Sequence, residues 1–152
     1  NENSGGVRNP MRGVQTHNYL YLFNPWSNGE RKMATATNGT ATWKRMLALA
    51  PKNPKINARV QVMKHRTVEE LYDIQKDPDC LVNLINSKEH TNQIKELQKS
   101  LHEWMLSTKD HAITAFESRN NPEKMESYIK TVQTESDLRR KNKRKKKRKS
   151  KA

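Results

Sequence analysis

The chain has 152 residues with 32% hydrophobic residues, which allows one modest core and little more. No run approaches the roughly 20 apolar residues of a membrane-spanning helix, so no membrane span is expected. The net charge of +14 is concentrated at one end: Arg139 to Lys151 holds 11 of the 30 Lys and Arg residues and no acid. Removing 11 from 30 leaves 19 bases against 16 acids, so the body is close to neutral at +3. A single cysteine, Cys80, excludes an intrachain disulfide and a Cys-based zinc site, and no cation follows it closely to activate the thiol. The chain opens on Asn1 without a signal-peptide pattern, and the expectation is a fragment of a longer protein.

In chain order, residues 1–8 are polar and read as a loose segment. Val14–Phe23 is rich in β-branched and aromatic residues and predicts one strand. Tyr19, Tyr21 and Phe23 fall on one face and Leu20 and Leu22 on the other, so both faces should be covered. Asn24-Pro25 stops the strand, and Ser27-Asn28-Gly29 and Thr37-Asn38-Gly39 supply turns. Asn38-Gly39-Thr40 also fits a glycosylation acceptor, and the turn explains it equally well. Thr40 or Thr42 caps a short helix through Ala50, with Trp43, Met46, Leu47 and Ala50 at helical spacing. Pro51–Pro54 reads as a linker, and Val60 and Val62 alternate with polar residues as in a strand.

Val68–Ile74 predicts a strand ended by Asp77-Pro78. The longest helix follows over Ser87–Ser107, with Ile94, Leu97, Leu101, Trp104 and Met105 on one face. Asn121-Pro122-Glu123 is an N-cap, first-turn proline and first-turn acid, starting a helix with Met125, Ile129 and Val132 inward. The basic end, dense in like charge, predicts a disordered tail.

The residues offer no reactive constellation. His17, His65, His90, His102 and His111 form no His-x-x-x-His pair, and there is no Gly-rich phosphate loop and no Gly-x-Ser-x-Gly elbow. Glu69, Glu70, Asp73, Asp77 and Asp79 could suggest acid catalysis or a calcium site, but beside Lys64, Arg66 and Lys76 they read as solvated surface pairs.

Four ordered blocks carry a family resemblance. Glu69-Glu70-Leu71-Tyr72-Asp73-Ile74, Asp77-Pro78 and Asn83-Leu84 resemble a signature near the end of sulfatases. Asn9-Pro10-Met11-Arg12-Gly13-Val14-Gln15-Thr16, with Tyr19-Leu20-Tyr21-Leu22-Phe23-Asn24, resembles an upstream block. Thr42-Trp43-Lys44-Arg45-Met46 resembles a short helix between them, and Leu101 through Trp104 and Thr108 to Asp110 the closing block. The closest subgroup is the heparan N-sulfatase (sulfamidase)-like one. The chain departs from it at Gln15, often Arg there, and Leu20, often Lys.

The resemblance implies an α+β fold: a small antiparallel sheet packed by a C-terminal amphipathic helix, the C-terminal subdomain of the alkaline-phosphatase-like superfamily. The expected domains are the loose segment 1–8, the subdomain 9–111, a linker and possible helix 112–138, and the disordered basic tail 139–152. It also implies a parent hydrolase of sulfuric esters or sulfamates on sulfated glycans, often periplasmic, secreted or lysosomal. That parent uses calcium and a formylglycine made from Cys or Ser in Cys/Ser-x-Pro-x-Arg. Neither motif occurs here, so this chain alone is expected to be inactive, with no catalytic or metal residues, no cofactor of its own and no assigned substrate contacts. Its expected partner is the N-terminal catalytic domain of the same polypeptide; a detached subdomain with another role is the alternative.

The tail supplies the competing function. Arg139, Arg140, Lys141, Lys143, Arg144, Lys145, Lys146, Lys147, Arg148, Lys149 and Lys151 would bind polyanions by charge alone. A non-enzymatic nucleic-acid-binding protein, non-specific in its binding, is one form of this reading. A tether to sulfated polysaccharide is another.

Overall fold

A computed structural model describes residues 9–149, with side-chain burial up to residue 142. The expected loose segment 1–8 and Lys151 lie outside the described residues. The fold is α+β. Strands β1 (Arg12–Gln15), β2 (Tyr19–Phe23) and β3 (Glu69–Asp73) form one antiparallel sheet in the order β1-β2-β3. Helices α1 (Ala41–Leu49) and α2 (Pro54–His65) lie between β2 and β3 in sequence. Helices α3 (Thr91–Ser107), α4 (Ile113–Glu117) and α5 (Pro122–Lys149) follow β3.

The single strand expected over Val14–Phe23 is instead a hairpin. Thr16 turns it: its hydroxyl accepts the N–H groups of Asn18 (3.3 Å) and Tyr19 (3.0 Å), and its own N–H donates to the Tyr19 carbonyl at 2.8 Å. Gly13 then sits opposite Leu22, where a Cβ would stand 2.8 Å from Leu22 Cδ2 and 3.0 Å from the Tyr21 carbonyl oxygen, so a larger residue there would displace the Leu22 side chain. Coverage of the two sheet faces is unequal. Tyr21 and Phe23 are fully buried, whereas Leu20 and Leu22 are half-buried.

Thr40 caps α1 as expected, accepting from Trp43 N, and Trp43 is buried while Leu47 is exposed. The strand expected around Val60 and Val62 is a helix. Asn53 accepts the Ile56 N–H and Pro54 occupies the first turn, so the supposed linker Pro51–Pro54 is the start signal of α2. Val60 is buried and Val62 faces solvent, which the two-residue alternation could not distinguish.

The core gathers Tyr21, Phe23 and Leu71 from the sheet, Leu97, Leu101 and Met105 from α3, and Ala112, Ala115, Phe116 and Met125 from the elements after it. Phe23 and Phe116 meet edge to face at 5.1 Å. Residues 112–138, expected to hold a linker and a helix, thus supply α4 and the first half of α5 to the same core. Asn121 caps α5 through the Lys124 N–H at 3.0 Å, and Met125 and Ile129 are buried as expected.

Two further expectations fail. Trp104 is not inward but 48% exposed. Ile94, Leu97, Leu101 and Met105 alone span the stripe that fits the sheet, and Trp104 lies at its edge, one turn from the helix end. That end is closed by Lys109 at φ 53, with Asp110 N–H donating to the Met105 carbonyl and Lys109 N–H to the Leu106 carbonyl, so the chain turns back before covering the indole. The basic segment, expected to be disordered from Arg139, continues α5 to Lys149. A helix already nucleated by packing at Met125 and Ile129 extends at one hydrogen bond per residue, and Lys and Arg are good helix formers.

Leu101→Ala should lower unfolding free energy by about 2–5 kcal/mol through the lost burial and the cavity left. Trp104→Ala should cost less than about 1 kcal/mol. Urea titrations of both variants check this, and a larger loss at Trp104 would place the indole in the core.

Candidate functional site

Polar contacts cluster around the adjacent carboxylates Glu69 and Glu70 of β3. Alternation along β3 sends Glu69 and Glu70 to opposite faces of the sheet. On the α3 side, Glu69 Oε1 accepts from Tyr21 Oη (2.5 Å) and Gln98 Nε2 (2.6 Å), and lies 3.2 Å from Arg119 Nε. The Arg119 contact is a charge pair without hydrogen-bond alignment; the guanidinium also lies 4.7 Å over the Phe116 ring. Burial, then the Glu69 charge, push the Tyr21 hydroxyl far up, so it stays a donor.

On the other face Glu70 is 1% exposed. It accepts from Arg66 Nη2 at 2.6 Å, Tyr72 Oη at 2.7 Å and Asn24 Nδ2 at 2.9 Å. Burial and the same carboxylate raise the Tyr72 hydroxyl. Arg66 reaches Glu70 from a backbone at φ 54, ψ −171, a region that disfavours any residue with a Cβ. The acids read from sequence as solvated surface pairs are therefore divided. Glu70 and Asp73 are buried, Glu69 is partly buried, and Asp77 and Asp79 remain toward solvent. The missed signal was that neighbouring strand acids point to two faces, each with its own partner.

The remaining signature residues also fasten backbone. Asp73 Oδ1 accepts the Gln75 and Lys76 N–H groups, which draw its carboxyl below the ordinary range. Asp77 Oδ2 accepts from Leu81 N (2.7 Å) and Val82 N (2.8 Å). Asn83 Oδ1 accepts from Leu71 N and Ile85 N, both at 3.0 Å, and so closes the β3 edge. Arg12, from the first block, grips Asp110, from the last, through Nε at 2.7 Å and Nη2 at 3.0 Å. Burial pushes the Asp110 carboxyl up, but Arg12 and the Ala112 N–H outweigh it and hold it below the usual carboxylate range.

None of this geometry is reactive. Cys80 sits at φ 51, and burial followed by Asp77 pushes its thiol up, away from nucleophile character. Its neighbours Leu81, Val82 and Asn83 are not those of a formylglycine motif. Among the described residues no group of three His, Cys, Asp or Glu could hold a metal ion. The residues present do not fit formylglycine or the family's calcium.

The basic segment lies apart from these polar contacts. Arg139, Arg140 and Lys141 are exposed on α5, and Arg139 Nη1 is 3.8 Å from Glu135. Lys143, Arg144, Lys145, Lys146, Lys147, Arg148 and Lys149 continue the helix. Between α4 and α5, next to this segment, opens a cleft of about 540 Å³. Its lining includes Pro10, His111, Thr114, Ser118, Lys124, Ser127, Tyr128, Thr131, Glu135 and Arg139. Tyr128 stacks on His111 with ring centres 5.9 Å apart and Oη 3.0 Å from Nδ1. Burial above all pushes the Tyr128 hydroxyl up to about 12, so it is protonated at neutral pH. Sequence reading missed the cleft because its walls come from separate helices, Thr114 on one and Thr131 on the other, and carry no local motif.

No protein-family model matches the chain, and no curated protein matches it. No helix among the described residues is long and apolar enough to cross a membrane.

Glu70→Ala should destabilise the protein by about 3–5 kcal/mol, because it strands Arg66 in a largely buried position. Asp110 makes the fold acid-sensitive. Its folded pKa is depressed, so its contribution is complete above the ordinary Asp value and is lost as pH falls through the lower folded value. Arg12→Gln should remove about 1–3 kcal/mol at pH 7 and much less near pH 2. Denaturation of both proteins at the two pH values checks the sign; an equal loss at both would exclude the ion pair as the cause.

Proposed function

We propose that the chain is the C-terminal part of a sulfatase, a hydrolase of sulfuric esters or sulfamates on sulfated glycans, and that it is not catalytic by itself. Its role is to brace and border a catalytic domain of the same polypeptide. One observation supports this reading above others: three of the four resembling blocks interlock. Arg12 meets Asp110, Tyr21 meets Glu69, and Asn24 meets Glu70. Blocks that resemble the family separately in sequence are thus in contact with one another in the fold, as parts of one subdomain would be.

The purified chain should release no sulfate from an ester or a sulfamate, with or without calcium. Turnover that disappears in Cys80→Ala would overturn the reading. The coding sequence upstream of Asn1 is the direct test, since an open frame with Cys/Ser-x-Pro-x-Arg supports it and an in-frame stop refutes it.

A second reading concerns the basic end of α5, which we propose binds polyanions. Eleven cations stand among the thirteen residues Arg139 to Lys151, with no acid and no aromatic to stack on bases. Heparin affinity should fall steeply with salt, and removal of residues 139–152 should abolish most of it while leaving the melting transition in place. Unchanged affinity after truncation would place the binding surface on the body.

A further inference from the structure

The cleft beside α5 and the basic segment share one helix face. Lys124, Tyr128, Thr131, Glu135 and Arg139 follow at i, i+4, i+7, i+11 and i+15, a single stripe that carries on to Asn142 and Lys146. Lys124 to Arg139 spans about 22 Å at 1.5 Å per residue, so the cleft opens directly onto the cationic segment. Its volume of about 540 Å³ is within the roughly 300–1,000 Å³ of ligand sites.

Three features decide what would fill it. Hydroxyls from Thr114, Ser118, Ser127 and Thr131 line it beside Ala115 and Val132, a mixed wall that suits the hydroxyls and the C–H faces of a sugar. Lys124 has no carboxylate partner among the described residues, whereas Arg139 is already paired with Glu135. The Tyr128 ring is stacked on His111, so it does not offer a free platform for a base.

We propose that this cleft is the anchoring subsite for an anionic polysaccharide that runs on along α5, with sugar hydroxyls on the Ser and Thr lining and an acidic group at Lys124. The inference rests on the polyanion reading of α5. It adds to that reading a defined end for the ligand and a reason to prefer a glycan to a nucleic acid. Glu135 is the one carboxylate in the lining, and it weakens anion binding as it stands.

The test uses the full chain, with a heparin hexasaccharide and a single-stranded oligonucleotide of similar charge as probes, by calorimetry at low salt. Lys124→Glu should weaken hexasaccharide binding about tenfold, and Glu135→Gln should strengthen it. Glutamate in the first turn suits the helix dipole, so the first variant should keep the fold; the melting transition verifies this. Thr131→Trp, at an exposed helix position, fills the cleft without changing charge. It should weaken hexasaccharide binding and leave the oligonucleotide unaffected. Equal loss for both probes in Thr131→Trp would overturn the glycan assignment. No change in either Lys124→Glu or Thr131→Trp, while removal of residues 139–152 still abolishes binding, would overturn the cleft alone. Binding that survives that removal yet falls in Lys124→Glu would uphold the cleft and refute the basic segment as the polyanion site.

Discussion

Two adjacent carboxylates on β3 hold the structure together from both sides of its sheet. Glu69 draws β2, α3 and the residue after α4 onto one face through Tyr21, Gln98 and Arg119. Glu70 draws the end of β2 and the end of α2 onto the other through Asn24 and Arg66. Removing a carboxylate from water is costly, and each is repaid only by a full set of donors. Tyr21, Asn24 and Arg119 reach the pair from more than 40 residues away in sequence, so it specifies the tertiary arrangement more than it adds net stability. The unfavourable backbone of Arg66 fits that picture: it stands where the guanidinium reaches the buried Glu70.

The apolar core supplies the driving force that these polar contacts direct. Tyr21 shows the division of labour within one side chain: its ring is fully buried among Leu97, Leu101 and Phe116, and its hydroxyl is the donor to Glu69. With few hydrophobic residues available, aromatic rings with polar tips contribute area and direction together.

Where local chemistry decides structure, the sequence was readable. Thr40 and Asn121 cap their helices, the Leu97–Leu101–Met105 stripe faces inward, and Asp77-Pro78 follows β3 as a stop. Where structure depends on distant partners, it was not. Val60 and Val62 fit a strand by spacing, and only Asn53 as a cap settles the helix. Trp104 shares the stripe of α3, but its cover would have to come from a chain that turns away at Lys109. Glu70 looked like a surface acid because its donors lie at Asn24, Arg66 and Tyr72, two of them near in sequence but useful only once the strand alternates. The candidate sites divide in the same way. A run of cations is evident from composition, whereas a cleft made by Thr114 and Thr131 exists only after α4 and α5 meet.

Continuation of α5 into the cationic segment has a mechanical and electrical consequence. From Ser136, the last residue of α5 described as buried, to Lys149 the helix rises about 20 Å. The body from which it rises is nearly neutral, so the centre of positive charge lies far from the centre of mass. Such a molecule has a large permanent dipole fixed to a stiff lever. In the field of an extended polyanion it experiences a torque before it experiences contact, and it turns tip first. The body would then arrive at such a surface in one orientation, held at a standoff set by the length of the helix.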